Sequence, residues 1–501
     1  MDAEVVIVGA GPAGLFLAGE LRLAGISVIV VEKLHEPTGE SRGLGFTART
    51  LEVFGQRGLL SRLGEVETTD LGHFGGLPID FSVLGEPNSG GVKGIPQAVT
   101  EEMLGDWAAD LGADIRRAHE VTGLRDLGDA VEVEVSGPMG PQVLRAAYLV
   151  GCDGGRSTVR KLAGFDFPGT ASTLEMFLAD VRHPDIRVRM IGETVPGGMV
   201  MAGPLGDGLF RIIVCERGTE PKARTEPPSW EEISSAWQRL TGQDISGGTA
   251  LWTSAFGNAA RLATEYRRGR VLLAGDAAHI HLPAGGQGMN TSIQDSANLG
   301  WKLAAAVRGT APDDLLDSYH EERHRVGERL LMNTQAQGLL FLSGSEMQPL
   351  RDVMTELIAF EPVSRHLAGM VSGLSIRYDV GGGDHPLLGL RVPNLTLRTE
   401  QGEPTMFELL AGARGVLLLP PGSGLETVAK GWADRVDVVI GEPAGESADE
   451  LGGARALLVR PDGHVAWVGA GSGDDLNDTD LDVALRRWFG LPVDAGVAVP
   501  A

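Results

Sequence analysis

The segment Gly9-Ala10-Gly11-Pro12-Ala13-Gly14 sets three glycines at GxGxxG spacing, and that spacing has a chemical use. The first glycine permits a tight turn, the second lets backbone approach a pyrophosphate, and the third lets a helix pack on the preceding strand. Pro12 and Ala13 fall in the first turn of that helix, whose amide groups suit an anion. Glu32 follows 18 residues beyond Gly14, where a carboxylate accepts hydrogen bonds from an adenosine ribose. The pattern predicts a dinucleotide site and leaves FAD and NAD both open.

The elements around this loop fit the task. Val5-Val6-Ile7-Val8 and Val28-Ile29-Val30-Val31 are apolar runs of the kind a parallel sheet buries on both faces, and Leu15, Ala18 and Leu21 between them recur at helical spacing. Two later segments end on acid–glycine pairs after a strand: Tyr148 to Gly151 leads into Asp153-Gly154, and Val271 to Ala274 leads into Gly275-Asp276. Residues 73–96 and 170–264 read as one inserted β-rich unit, with alternating strands such as Phe210 to Val214. Helices are expected over about 290–375, one of them starting near Thr291. Beyond the Gly381-Gly382-Gly383 linker a third unit alternates strands and helices, with Pro461-Asp462-Gly463 as a hairpin turn.

Composition removes several function classes. The chain has 501 residues, enough for roughly three domains. Lys+Arg of 43 against Asp+Glu of 67 gives a net charge of −24, which repels nucleic acid. The 72 glycines are about twice the usual share and suggest close backbone approaches. Two cysteines, Cys152 and Cys215, exclude a disulfide framework, and no apolar run is long enough to span a membrane. With the acidic start Met1-Asp2-Ala3-Glu4, a cytoplasmic protein without a signal peptide is expected.

The ordered trio of GxGxxG, the Asp-Gly pair and the Gly-Asp pair resembles the class A FAD-dependent aromatic hydroxylases. The stretch Pro283-Ala284-Gly285-Gly286-Gln287-Gly288-Met289-Asn290, followed by Asp295, Leu299 and Trp301-Lys302-Leu303, is similar to that family's flavin-contacting loop and helix. Gly39 to Phe46 and His279-Ile280-His281-Leu282-Pro283 look like the polyketide hydroxylases of angucycline biosynthesis. The resemblance implies an α/β fold: a Rossmann-type FAD-binding domain over 1–72, 97–169 and 265–385, a β-sheet substrate domain over 73–96 and 170–264, and a thioredoxin-like domain over 386–501. It implies a monooxygenase that uses NADPH or NADH and O2, through a flavin C4a-hydroperoxide, on an aromatic polyketide. A flavin-dependent reductase or dehydrogenase, or a binding protein that keeps FAD without turnover, stays as the alternative.

The same resemblance assigns roles. Gly9, Gly11, Pro12, Ala13, Gly14, Glu32, Lys33, Val121, Arg42, Gln97, Asp153 and Asp276 would hold FAD, with Lys33 and Val121 beside the adenosine and Arg42, Gln97 and Asp276 near the ribityl chain or the phosphates. Gly288 and Met289 would offer amides to the pyrimidine edge of the flavin, within a loop that also holds Gly286 and Asn290. Pro283 would lie beside the flavin ring, and His281 could steer a proton. Phe74, Phe210, Trp252 and Phe256 are candidate walls of the substrate chamber. The third unit contains no cysteine, so it is read as structural or as a self-association surface for a homodimer.

Two strings invite other readings. His320-Glu321-Glu322-Arg323-His324 satisfies HExxH, but no third ligand follows at a typical spacing, so no metal is expected and the helix reads as a solvated charged face. Gly469-Ala470-Gly471-Ser472-Gly473 precedes two aspartates rather than a helix and reads as a surface turn. Cys152, with no histidine base nearby in sequence, reads as core filler.

Overall fold

The computed structural model describes residues 1–64, 68–85, 92–183, 185–445, 450–470 and 478–493. Gly471 to Gly473 of the second glycine string lie outside them. The β-branched runs form a six-stranded sheet in the order Arg267–Arg268, Val271–Leu273, Tyr148–Gly151, Val5–Val8, Val28–Val31, Asp114–Arg116. All neighbours pair parallel except the first two. Val5 to Ile7 are wholly buried, as a strand covered on both faces requires. Helices Pro12–Leu23, Gln97–Asp110 and Gln287–Arg308 pack around this sheet in the largest apolar core.

The strands Glu175–Arg182, Leu209–Glu216, Gly198–Gly206, Arg189–Val195 and Thr249–Gly257 form an antiparallel five-stranded sheet. One face is closed by helix Trp230–Thr241, whose Ile233, Ala236 and Trp237 are fully buried against Phe177, Ala179, Val181, Ile212 and Val214. Truncating a side chain like Trp237 costs about 3–5 kcal/mol. The hairpin Leu71–Phe74 with Leu77–Asp80 does not join this sheet, contrary to the single inserted unit read from the sequence. Its Phe74 and Ile79, with Phe81, pack instead on Leu340, Leu367 and Val371 of the downstream helices. Strand Val92–Pro96 pairs with Leu44–Thr47.

The C-terminal unit has a second five-stranded sheet, ordered Leu397–Thr399, Val436–Pro443, Gly415–Leu419, Ala454–Val459, Val465–Ala470, with one parallel pair at its centre. Arg460 to His464 form the expected hairpin turn, closed by Gly463 N donating to Arg460 O at 2.9 Å. That turn is buried rather than solvated. Arg460, Asp462 and His464 are each at most 3 % exposed, because the turn is pressed onto helices Gln287–Arg308 and Asp317–Leu342. No helix among the described residues is long and apolar enough to cross a membrane.

Candidate active site

The glycine loop behaves as its spacing predicts. A Cβ on Gly9, whose φ is +104°, would meet Cys152 O at 2.4 Å, and one on Gly14 would meet Gly9 O at 2.0 Å, so both positions are closed to any side chain. Gly11 is different: a Cβ there meets nothing within 4 Å. It is the N-cap of helix Pro12–Leu23 and provides no side-chain cap, so the first-turn amides face open space, a cradle suited to phosphate. Glu32 accepts Ala10 N and Leu34 N, each at 2.9 Å, which fixes its carboxylate beside the loop.

A second helix end converges on the first. Gln287–Arg308 begins at Gln287, four residues before the expected start at Thr291, with Gly286 as a left-handed N-cap that has no side-chain cap. Gly288 and Met289 therefore lie inside its first turn, where amides have no intrahelical partner. The macrodipole of a 22-residue helix adds positive potential there. Ser296 Oγ donates to Ala13 O at 2.8 Å and ties the two helices together. Beside them Asp276 is open to solvent yet walled by protein, makes no hydrogen bond among the described residues, and has its carboxyl pushed up by burial, against the opposing pull of His279 and Arg42. An open cradle, two uncapped helix ends and an unpartnered carboxylate fit a flavin dinucleotide.

Several predicted contact residues are committed to the chain instead. Asn290 Oδ1 accepts Thr47 N at 2.9 Å and its Nδ2 donates to Gly286 O at 2.9 Å, so the Asn290 side chain holds the loop to strand Leu44–Thr47. Asp153 accepts from Ser157 Oγ at 2.5 Å and from Thr158 N at 2.6 Å, capping a short helix. Val121 is 6 % exposed, because its strand turns it into the core, and only its main chain could touch a ligand. Gln97 Oε1 accepts Gly43 N at 3.2 Å beside Met289. Arg42 and Lys33 are exposed.

Pro283 and Gly286 are exposed. The His281 ring takes part in a 2.7 Å contact between Nδ1 and Leu282 O, which makes Nδ1 the donor and leaves Nε2 as an acceptor. Burial and neighbouring His279 push its pKa down to about 4, so His281 is neutral near pH 7 and is a weak base.

A charge network behind this loop is not legible in the sequence. Asp295 accepts Gly275 N at 3.1 Å, stands 2.8 Å from His279 Nε2 and accepts Arg323 Nε at 2.6 Å. Burial pushes the Asp295 carboxyl up, but Arg323 and His279 together hold it below its ordinary value. Glu322, adjacent to Arg323, accepts from Lys302 at 2.7 Å, from Asn298 at 2.7 Å and from Arg460 at 2.6 and 2.9 Å. The HExxH helix is thus solvated on one face only, where Glu321, Arg325 and Glu328 are exposed, while Glu322 and Arg323 are 7 % and 1 % exposed and anchor opposite neighbours. No group of three or more ligating side chains that could hold a metal occurs among the described residues.

Strand alternation sorts the four candidate wall residues. Phe256 opposes Met176 and Trp252 opposes Asp180, on the sheet face whose Met176, Met199 and Cys215 meet Leu282, Ala284 and Phe341. Phe210 opposes Val181 and packs with it under helix Trp230–Thr241, on the other face, so it is not a wall of this chamber. Phe74 is 6 % exposed within the hairpin core, so its ring faces helices rather than open space. Phe341, which joins this cluster, carries no signal in the sequence, since it sits in a long helix with no motif around it.

These features define a flavin dinucleotide-binding protein with an apolar cluster of the five-stranded sheet packed against its glycine-rich Pro283 loop. The FAD binding domain family model matches residues 2–334 and the aromatic-ring hydroxylase C-terminal model matches residues 385–492. The chain belongs to the FAD-binding aromatic-ring hydroxylases. It is similar to the solved structures of CabE, an aromatic hydroxylase from angucycline biosynthesis (61 % identity, TM-score 0.93, covering 98 % of this chain and 100 % of that one), and of BexE, from BE-7585A biosynthesis (62 %, 0.92, 98 % and 100 %). A curated relative, the 12-dehydrotetracycline 5-monooxygenase/anhydrotetracycline 6-monooxygenase of Streptomyces rimosus, is 43 % identical over 98 % of this chain and 100 % of its own.

Proposed function

We propose that this protein is a cytoplasmic FAD monooxygenase that uses NADPH or NADH and O2 to hydroxylate an angucycline-type aromatic polyketide in antibiotic biosynthesis. The observation that carries this reading is the seating of Met176, Met199 and Cys215, with Phe256 beside them, on Leu282 and Ala284, the neighbours of Pro283. A large, mostly uncharged ring system suits a site bordered by such an apolar surface, which would also keep water from the reacting atoms. The angucycline and tetracycline activities of the relatives support the same substrate class.

When bound, FAD supplies the transfer of one oxygen atom from O2 to an electron-rich ring, after accepting a hydride. The residues of the chain do the rest. Gly9, Gly11, Pro12, Ala13, Gly14, Glu32, Lys33, Arg42, Gln97 and Asp276 hold the dinucleotide, Val121 through its main chain. The amides of Gly288 and Met289 would offer hydrogen bonds to the pyrimidine edge of the flavin. Pro283 and Gly286 shape the loop, Asn290 positions it, and Asp153 caps the helix after the Asp-Gly turn. His281, neutral, accepts a hydrogen bond at Nε2, and a phenolic substrate provides its own electron push. Residues 170–264 form the substrate-binding unit and 386–501 a thioredoxin-like unit available for homodimer contacts.

The test is NAD(P)H consumption by the purified holoenzyme in air, with and without benz[a]anthraquinones. Substrate-stimulated consumption with a hydroxylated product is expected. Consumption that ignores the aromatic compound would sink the proposal.

A further inference from the structure

The chamber face of the five-stranded sheet carries one ion pair amid apolar neighbours. Arg211 Nε and Nη2 donate to the two oxygens of Asp180, each at 2.7 Å, and Trp252 Nε1 donates to Asp180 Oδ2 at 2.8 Å. The guanidinium carbon lies 5.4 Å from the centre of the Trp252 ring. Asp180 and Arg211 are 7 % and 6 % exposed. Arg211 Nη1 is buried with no hydrogen-bond partner among the described residues. A buried cationic donor without an acceptor is costly, and nothing about holding two strands together requires it, since apolar residues of similar volume do that as well.

The position of the pair says what could fill the gap. Asp180, Arg211 and Trp252 each stand four residues along their strands from Met176, Cys215 and Phe256, which puts them on the same face and about 13 Å from the residues that meet the flavin loop. A fused polycyclic skeleton spans that distance and a single ring does not. We infer that Arg211, fixed by Asp180 and Trp252, is a specificity-determining residue whose Nη1 donates to a carbonyl or phenolic oxygen at the end of the substrate remote from the reacting ring. This rests on the polycyclic substrate class proposed above and adds the group that selects oxygenated members of it.

The experiment measures binding to the oxidised holoenzyme by perturbation of the flavin absorbance. The probes are benz[a]anthracene-7,12-dione and the oxygen-free benz[a]anthracene. Wild type should prefer the dione by about ten- to hundredfold, the range of a hydrogen bond from a charged donor. Arg211→Met should lose most of that preference while its affinity for the hydrocarbon stays unchanged. Because Arg211→Met strands Asp180, the paired replacement Asp180→Leu with Arg211→Met is measured beside it and should give the same result. Equal weakening of both probes in the paired variant, or an intact preference, overturns the inference and leaves the polycyclic reading standing. If neither probe perturbs the wild-type flavin, the polycyclic reading itself falls.

Discussion

His279 Nε2 lies 2.8 Å from Asp295 Oδ2, and this contact couples the loop that carries Asp276 and His281 to the core of helix Gln287–Arg308. Asp295 also holds Arg323, so its removal leaves a buried guanidinium uncompensated. Asp295→Ala is expected to lose about 3–5 kcal/mol of stability and to release FAD. Chemical denaturation and flavin content after gel filtration check this. Full flavin occupancy with an unchanged midpoint would refute it.

Gly11 and Gly14 differ in what a methyl group would meet, and the difference separates binding from folding. Gly11→Ala faces open space, so it should fold with an unchanged apoprotein melting temperature and bind FAD at least about tenfold more weakly, a loss of about 1.4 kcal/mol. Gly14→Ala must displace the backbone of Gly9 and should lower stability as well. Melting curves with and without added FAD distinguish the two.

The Arg460–Asp462 turn clamps the C-terminal unit onto the flavin helices through Glu322. Arg460→Ala leaves Glu322 with Lys302 and Asn298 alone, and a loss of about 3–5 kcal/mol follows from breaking a buried pair. Limited proteolysis should then cut near the Gly381-Gly382-Gly383 linker faster than in wild type.

Buried histidines set the acid limb of stability. The pKa of His281 is pushed down to about 4 and that of His464 to about 3, both chiefly by burial. The unfolded chain therefore binds more protons than the folded one below about pH 6.5. Stability is full above that pH and falls as pH drops toward 4. Melting temperature measured from pH 8 to 4 should decline on this limb, and His464→Gln should flatten it. A flat wild-type profile would contradict the assignment.

How far the sequence reaches is visible in single residues. Gly9, Gly14 and the buried strand Val5–Val8 were legible because local sterics and periodicity dictate them. Trp252 and Phe256 share the sheet face that meets the Pro283 loop while Phe210 lies on the other, a distinction alternation cannot supply because it gives two faces but not which one meets the loop. Arg323 and Glu322 looked solvated, since the sequence shows their charge but not Asp295 and Arg460, whose partnership forms only on tertiary packing. Asn290 and Asp153 carried motif signals for a ligand, yet their side chains satisfy backbone groups of the chain itself, the commoner use of such residues at turns.

Oxygen insertion into a polycyclic aromatic ring is tested most directly by mass spectrometry of product formed under isotopically heavy O2. Incubation of holoenzyme, NADPH and a benz[a]anthraquinone should yield a product with one heavy oxygen atom derived from O2. A reduced product without labelled oxygen, or unchanged substrate with full flavin occupancy, would contradict it.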